Sequence, residues 1–168
     1  MEFTYKTADI SALNEVLEIY SSAQKFMEAN GNPQWVKGFP DKTDIAGAIY
    51  GAIIYTVLHK GEIVGVFAVV NYDGNYDYIN GSWLTSGNYL AVHRVATKEN
   101  FRKKGVAKFI VEAATEIAKK RGRTSLRFDT HEKNIPMQNL LNSCGFTQCG
   151  TVLINRDGTP RLAYEKII

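Results

Sequence analysis

The sequence predicts an α/β (α+β) protein, a mixed twisted sheet with helices on both faces. Three observations predict it. Stretches of strand length alternate with stretches of helical period in the order β-α-α-β-β-β-α-β-α-β-β. The run Ile63 to Val70 is almost continuously apolar, as a central strand covered on both faces requires. Tyr89–Thr97, a helix and then Thr124–Thr130 follow one another, and a strand–helix–strand connection is how parallel strands are joined.

Each element has its local reason. Phe3 to Lys6 reads as a short first strand, and Asp9 or Ser11 can cap a helix whose apolar face is Leu13, Val16, Leu17 and Tyr20. Gly31 to Pro40 is a turn-rich break, and Thr43 to Tyr50 forms a second, shorter helix. Ile53–Leu58 and Ile63–Val70 are strands joined by a tight turn at Lys60-Gly61. Asn71 to Asn88 is a polar and aromatic loop, followed by the strand Tyr89–Thr97.

The next helix runs to about Arg121. It sets Val106, Ile110, Ala113, Ala114, Ile117 and Ala118 on one face, and Gly122 stops it. After the strand Thr124–Thr130, Pro136 suits the first position of a short helix with Met137, Leu140, Leu141 and Cys144 inward and Gly145 as its stop. Phe146–Ile154 and Arg161–Ile167 close as a hairpin around residues 155–160.

Composition bounds the function. At 168 residues the chain fits one domain spanning 1–168, and 45% apolar with 22% charged residues is the balance of a globular protein with a full core. No apolar run approaches the ~20 residues that span a bilayer, and Met1 to Lys6 lacks the pattern of a signal peptide, so a cytoplasmic protein without membrane partners is expected. Cys144 and Cys149 show no zinc-type spacing and read as small buried hydrophobes, so no metal is expected. A formal charge of +3 suits an anionic ligand but is too small and dispersed for nucleic acid.

The most informative stretch is residues 102–107, Arg-Lys-Lys-Gly-Val-Ala, between the strand Tyr89–Thr97 and the long helix. A basic, glycine-bearing turn that opens a helix offers unpartnered N–H groups and the positive end of the helix dipole. It is a site for a phosphorylated ligand. The chain lacks Gly-x4-Gly-Lys-Ser/Thr and any Gly-x-Gly-x-x-Gly after a strand, which removes the common nucleotide and dinucleotide loops.

Strand–Arg102-x-x-Gly105-x-Ala107–helix, with Asn134 ahead of a short helix ending in Gly145-Phe146, strongly resembles the GNAT N-acetyltransferase superfamily. The resemblance covers most of the chain and is densest from Tyr89 to Phe146. It implies a mostly antiparallel sheet in which one parallel strand pair splays. It also implies acetyl-CoA as cosubstrate, with the pyrophosphate on the amides of Arg102, Lys103, Lys104, Gly105, Val106 and Ala107. By the same pattern pantetheine pairs with the backbone at Val95 and Thr97, as a peptide adds to a sheet edge, and Asn134 steadies the arm. The N–H of Val95 or Ala96 is the expected oxyanion donor.

The implied reaction is acetyl transfer to a primary amine of a small molecule. Strand alternation puts His93 on the side of Val95 and Thr97, and an imidazole titrating near ~6.5 suits a general base. Its place is similar to that of a base histidine in the arylalkylamine branch of the superfamily. The competing reading is a core histidine satisfied by a carbonyl. His131, with Asp129 to orient it, is the other candidate, and a loop-bracing role is the plainer account of that pair.

Many superfamily members carry an acid tyrosine where this chain has Leu141, which cannot donate a proton. Tyr164, Ser143 and Cys144 are the remaining candidates, or water. Tyr72, Asp73, Tyr76, Asp77, Tyr78 and Trp83 could hold a cationic amine or simply pack, and Trp35 with Phe39 marks the other acceptor wall by analogy. A homodimer closed through Arg161–Ile168 is likewise an analogy. The rival classes are a non-catalytic acyl-CoA-binding or regulatory module, which Leu141 favours, and a protein or peptide N-acetyltransferase.

Overall fold

The computed structural model describes residues 1–35 and 38–168; residues 36 and 37 of the expected break lie outside the described residues. The described chain forms eight strands and four α-helices: β1 (Thr4–Thr7), α1 (Leu13–Ala29), α2 (Lys42–Tyr50), β2 (Ile54–His59), β3 (Glu62–Val70), β4 (Asn80–Gly81), β5 (Tyr89–Thr97), α3 (Val106–Lys120), β6 (Ser125–Thr130), α4 (Ile135–Ser143), β7 (Thr147–Ile154) and β8 (Thr159–Ile167). The expected order holds, with one addition: the loop 71–88 contains a 3-10 turn over Gly74–Tyr78 and the two-residue β4. Asp9 caps a 3-10 turn, Ile10–Ala12, and α1 starts directly after it. The strands divide over two compact units, residues 1–69 with 94–113 and residues 70–93 with 114–168.

In the first unit β1, β2 and β3 pair antiparallel in sequence order. Its core joins Val16, Ile19 and Tyr20 of α1, Ile45, Ala48 and Ile49 of α2, Ile54, Val66 and Ala68 of β2 and β3, and Ala96 of β5. Asp41 and Asp44 form a reciprocal capping box that starts α2. β3 is buried from Ile63 to Val69, as its apolar run requires. Val66 and Ala68 join the α1 and α2 side, whereas Gly65 faces Val106 and Ile110 of α3. Alternation along one strand thus serves helices on two faces.

In the second unit β6 pairs antiparallel with β8, β8 with β7, and β7 with β4. β5 and β6 are the one parallel pair in the described sheet, and their ladder covers Tyr89, Ala91 and the residue between, against Ser125 to Arg127. It stops there although β5 runs on to Thr97 and β6 to Thr130. Arg94 breaks β5: its φ of 54° is left-handed, a conformation that a non-glycine residue adopts at a cost. The expected alternation that set His93, Val95 and Thr97 on one face therefore does not carry across Arg94.

The six apolar positions expected on α3 are all buried. On α4 only Leu141 is; Met137, Leu140 and Cys144 are half-buried, because a nine-residue helix covers less than its apolar count suggests.

The Gly65–α3 contact leaves no room for a side chain, since an added Cβ would stand 2.6 Å from Val106 Cγ1. Gly65→Ala is expected to destabilise the protein by about 1–3 kcal/mol, the range for overpacking a filled core. Thermal and urea unfolding would show it, and an unchanged midpoint would mean that α3 shifts freely on the sheet.

Candidate active site

The basic turn folds as a 3-10 turn over Glu99–Phe101 and then a tight coil into α3. Lys103 and Gly105 take left-handed φ of 61° and 90°. At Gly105 the backbone angle, and not space, calls for glycine: an added Cβ would meet only the Phe3 ring at 4.0 Å.

Two of the six amides expected to cradle phosphate donate within the turn. Arg102 N–H donates to Glu99 O at 3.2 Å and Lys104 N–H to Phe101 O at 3.3 Å. The reason is the turn's own geometry, which satisfies its amides internally. Val106 and Ala107 open α3 and have no partner within it. Gly105 O accepts from Phe109 N–H as the first helical bond.

The Arg102 side chain is tied as well. Its guanidinium stacks 4.4 Å from the centre of the Phe26 ring and donates to Ser22 O and Oγ, each at 3.2 Å. It anchors the turn to α1, while exposed Lys103 and Lys104 supply charge. On β5, Ala96 is buried and Val95 and Thr97 are half-buried.

The second unit gathers titratable groups around His93, whose side chain is 23% exposed. Nε2 lies 3.1 Å from Asp73 Oδ2, and Nδ1 lies 3.4 Å from Asp129 Oδ1. Asp129 Oδ1 also accepts from the buried Tyr76 hydroxyl at 2.8 Å. Asp73 is fixed from behind: its N–H donates to Tyr89 Oη at 2.9 Å, and its Oδ1 accepts from Asn75 N–H at 2.9 Å and Asn75 Nδ2 at 2.7 Å. Burial works against charge on His93, but the carboxylates of Asp129 and Asp73 outweigh it and raise the pKa to about 9. The same pairing, against burial, holds the Asp73 carboxyl below its ordinary range. At neutral pH the resting ring is an imidazolium, and the neutral imidazole becomes the main form only above about pH 9.

The loop that carries Asp73 is fastened by a buried ion pair. Glu165 Oε1 accepts from Arg127 Nε at 3.0 Å and Ser125 Oγ at 2.6 Å, and its Oε2 from Leu84 N–H at 2.6 Å and Thr85 N–H at 3.2 Å. The Arg127 guanidinium sits between Trp83 and Tyr89, 4.2 and 4.1 Å from their ring centres. Trp83 Nε1–H then donates to Tyr76 O at 2.9 Å.

Several expectations are redirected here. Asp129 faces His93, and His131 Nδ1 accepts from Lys133 N–H at 3.1 Å. Tyr76 and Trp83 are committed to packing and to this network, whereas Tyr72 and Tyr78 are exposed. Tyr72 donates to Asp77. Asn134 is buried and caps α4, its Oδ1 accepting from Met137 N–H at 3.3 Å. Leu141 is wholly buried. Of the alternative acids, Tyr164 donates to Gln148 Oε1 at 3.4 Å, with burial pushing its phenol up, and Ser143 donates to Leu140 O at 2.8 Å.

Sequence reasoning missed Asp73 as a partner of His93 and Glu165 altogether. The available signal was the cost of carboxylates inside apolar strands, at Asp129 and Glu165, which demands cationic partners nearby. No group of three or more metal-ligating side chains occurs among the described residues. No described helix is long and apolar enough to cross a membrane.

The His93 assignment is checked by its titration. Ring proton shifts should give a midpoint near 9, and Asp129→Asn should move it down toward ~6.5. Because the folded pKa is raised, the ion contacts stabilise the fold fully below ~6.5, and that contribution fades as pH rises through about 9. A midpoint near 6.5 in the parent protein would remove the proposed pairing.

Comparison with known proteins finds that the acetyltransferase (GNAT) family model matches residues 16–146. The chain is 26% identical over 156 residues to a streptothricin acetyltransferase of Escherichia coli, covering 91% of this chain and 79% of that one. Its fold superposes on a GNAT-family acetyltransferase structure from Streptococcus agalactiae with a TM-score of 0.90 at 32% identity, over 99% of this chain and 95% of that chain. A PaiA N-acetyltransferase from Thermoplasma acidophilum, in complex with coenzyme A, shares the fold with a TM-score of 0.75 at 16% identity over the whole of both chains.

Proposed function

Because this chain belongs to the acetyltransferase (GNAT) family, we propose that it transfers the acetyl group of acetyl-CoA to a primary amine of a small molecule. The reading treats residues 1–168 as one cytoplasmic catalytic domain that works without a metal. The observation that carries it is the left-handed turn at Lys103 and Gly105, which delivers a cationic loop onto the open amides at the start of α3. The streptothricin acetyltransferase likeness supports a small amine acceptor.

In this reading the CoA phosphates rest on the amides of Lys103, Gly105, Val106 and Ala107, with the charges of Lys103 and Lys104. Pantetheine pairs with the backbone of Val95 to Thr97, the Val95 or Ala96 N–H serves the oxyanion, and the Asn134 side-chain NH2 steadies the arm. The acceptor enters as an ammonium and loses one proton before attack and a second after it. His93, once its own proton has passed to solvent, takes the first; the neutral amine nitrogen attacks the thioester carbonyl, a C–N bond forms, the C–S bond breaks, and the second proton passes to water. An incoming ammonium disfavours a second cation beside it, so acceptor binding lowers the pKa of His93 toward a working base. The departing thiolate, with a reference pKa near ~8.5, is protonated from water.

Leu141 favours a second reading, a module that binds acyl-CoA without turnover, because a fully buried leucine stands where an acid would act. Free-thiol release from acetyl-CoA with a panel of amines separates the two: amine-dependent release supports the enzyme, and binding without release supports the module.

Two variants probe the parts. Gly105→Asp places a side chain and a negative charge at a left-handed position of the phosphate turn, and CoA affinity should fall by at least about tenfold. Unchanged affinity would remove the phosphate assignment. For the parent enzyme kcat/KM should climb with pH toward about 9, and His93→Ala should lower turnover mainly below the acceptor's own pKa while CoA affinity stays nearly constant. Overlaying pH profiles would make His93 structural.

A further inference from the structure

Among the described residues, the first unit holds two buried hydrogen-bond donors with no hydrogen-bond partner. Tyr20 of α1 is 1% exposed, and its hydroxyl has no partner among the described residues. Nη1 of Arg94 is buried in the same condition. An unsatisfied buried hydroxyl is costly and a charged group more so, and a stable fold retains such a pair where something else fills it.

The two donors border one core: Tyr20 and Trp35 lie in the same cluster, and Phe39, whose ring carries the Arg94 guanidinium, packs against it. Burial pushes the Tyr20 phenol up, so the hydroxyl keeps its proton and remains a donor. Aromatic rings hold both groups: Trp35 meets Tyr20 edge-on, centroids 5.6 Å apart at 71°, and the Arg94 guanidinium lies 5.1 Å from the centre of the Phe39 ring. The left-handed backbone at Arg94 lifts this residue out of the strand's alternation, and strain of that kind persists where the surroundings fix it.

The chemistry of the missing partner follows. A guanidinium is always charged, offers a planar fork and accepts nothing; a protonated phenol beside it adds one more donor. Together they match a planar anion with two acceptor oxygens. We propose that Arg94 and Tyr20 form a carboxylate subsite, so that the acceptor is an amine that also bears a carboxylate, an amino acid or a close relative. This rests on the amine-acetyltransferase reading and names its substrate class.

The test compares matched acceptors: lysine with cadaverine, ornithine with putrescine, β-alanine with ethylamine, phenylalanine with phenethylamine. Thiol release should favour the carboxylate-bearing member of at least one pair by about tenfold or more. Arg94→Gln should erase that preference through KM, with CoA affinity kept. Tyr20→Phe, which removes one oxygen from an otherwise unchanged core ring, should weaken the preference several-fold, and it serves if Arg94→Gln fails to fold.

Ratios near one in every active pair, or ratios indifferent to both substitutions, overturn the subsite and leave acetyl transfer standing. If no amine reacts, calorimetry with the N-acetylated products of the same pairs decides. Carboxylate-dependent binding lost in the variants upholds the subsite while acetyl transfer falls. Binding that ignores the carboxylate overturns the subsite.

Discussion

Burial of Glu165 is the constraint on which the second unit turns. A carboxylate with no exposure is tolerable only when donors surround it, and five converge on this one: Arg127 Nε, Ser125 Oγ, Thr85 Oγ1 and the N–H groups of Leu84 and Thr85. Burial opposes its charge, yet those donors hold the carboxyl below its ordinary range. Three of the five belong to the loop before β5, so satisfying one charge on β8 fastens that loop to the sheet. Arg127, held over two rings, turns Trp83 toward Tyr76, and Tyr76 reaches Asp129. The carboxylates around His93 are thus set by a chain of polar contacts that begins at Glu165.

The regular elements were legible because their signals are local. The apolar run of β3, the six-position face of α3 and the proline at the start of α4 each carry their own local signal, and each formed, with Pro136 one residue inside α4. The turn that opens α3 was legible for the same reason, since Gly105 ahead of an amphipathic run marks it within six residues. What sequence could not yield is pairing over long separations. Twenty residues divide Asp73 from His93, and eighty divide Glu165 from Thr85. No spacing rule links such residues.

Arg94 shows a different kind of illegibility. Its left-handed φ lies inside an otherwise regular strand, at a residue type with no preference for it, so the alternation read from the sequence continues straight through. The consequence is not cosmetic. Side-chain faces assigned beyond that point were assigned from a period that the backbone abandons. The side-chain contacts of Arg102 were illegible for a related reason: nothing in the motif announces that its guanidinium finds the Phe26 ring and the Ser22 carbonyl.

The charge on His93 alters what the site can do at rest. A histidine near ~6.5 would be mostly neutral at pH 7 and ready to accept a proton. One at about 9 is a cation held by two carboxylates, and its value as a base depends on what displaces that proton. On the proposed reading a cationic acceptor would supply the displacement, because two like charges cannot share the carboxylates at no cost. The base would then be available when an amine is bound and withheld when it is not. A water molecule carries no charge to displace the proton, so thioester hydrolysis gains no such help. Selectivity for transfer over hydrolysis would arise from electrostatics already built into the resting cluster, without any moving part.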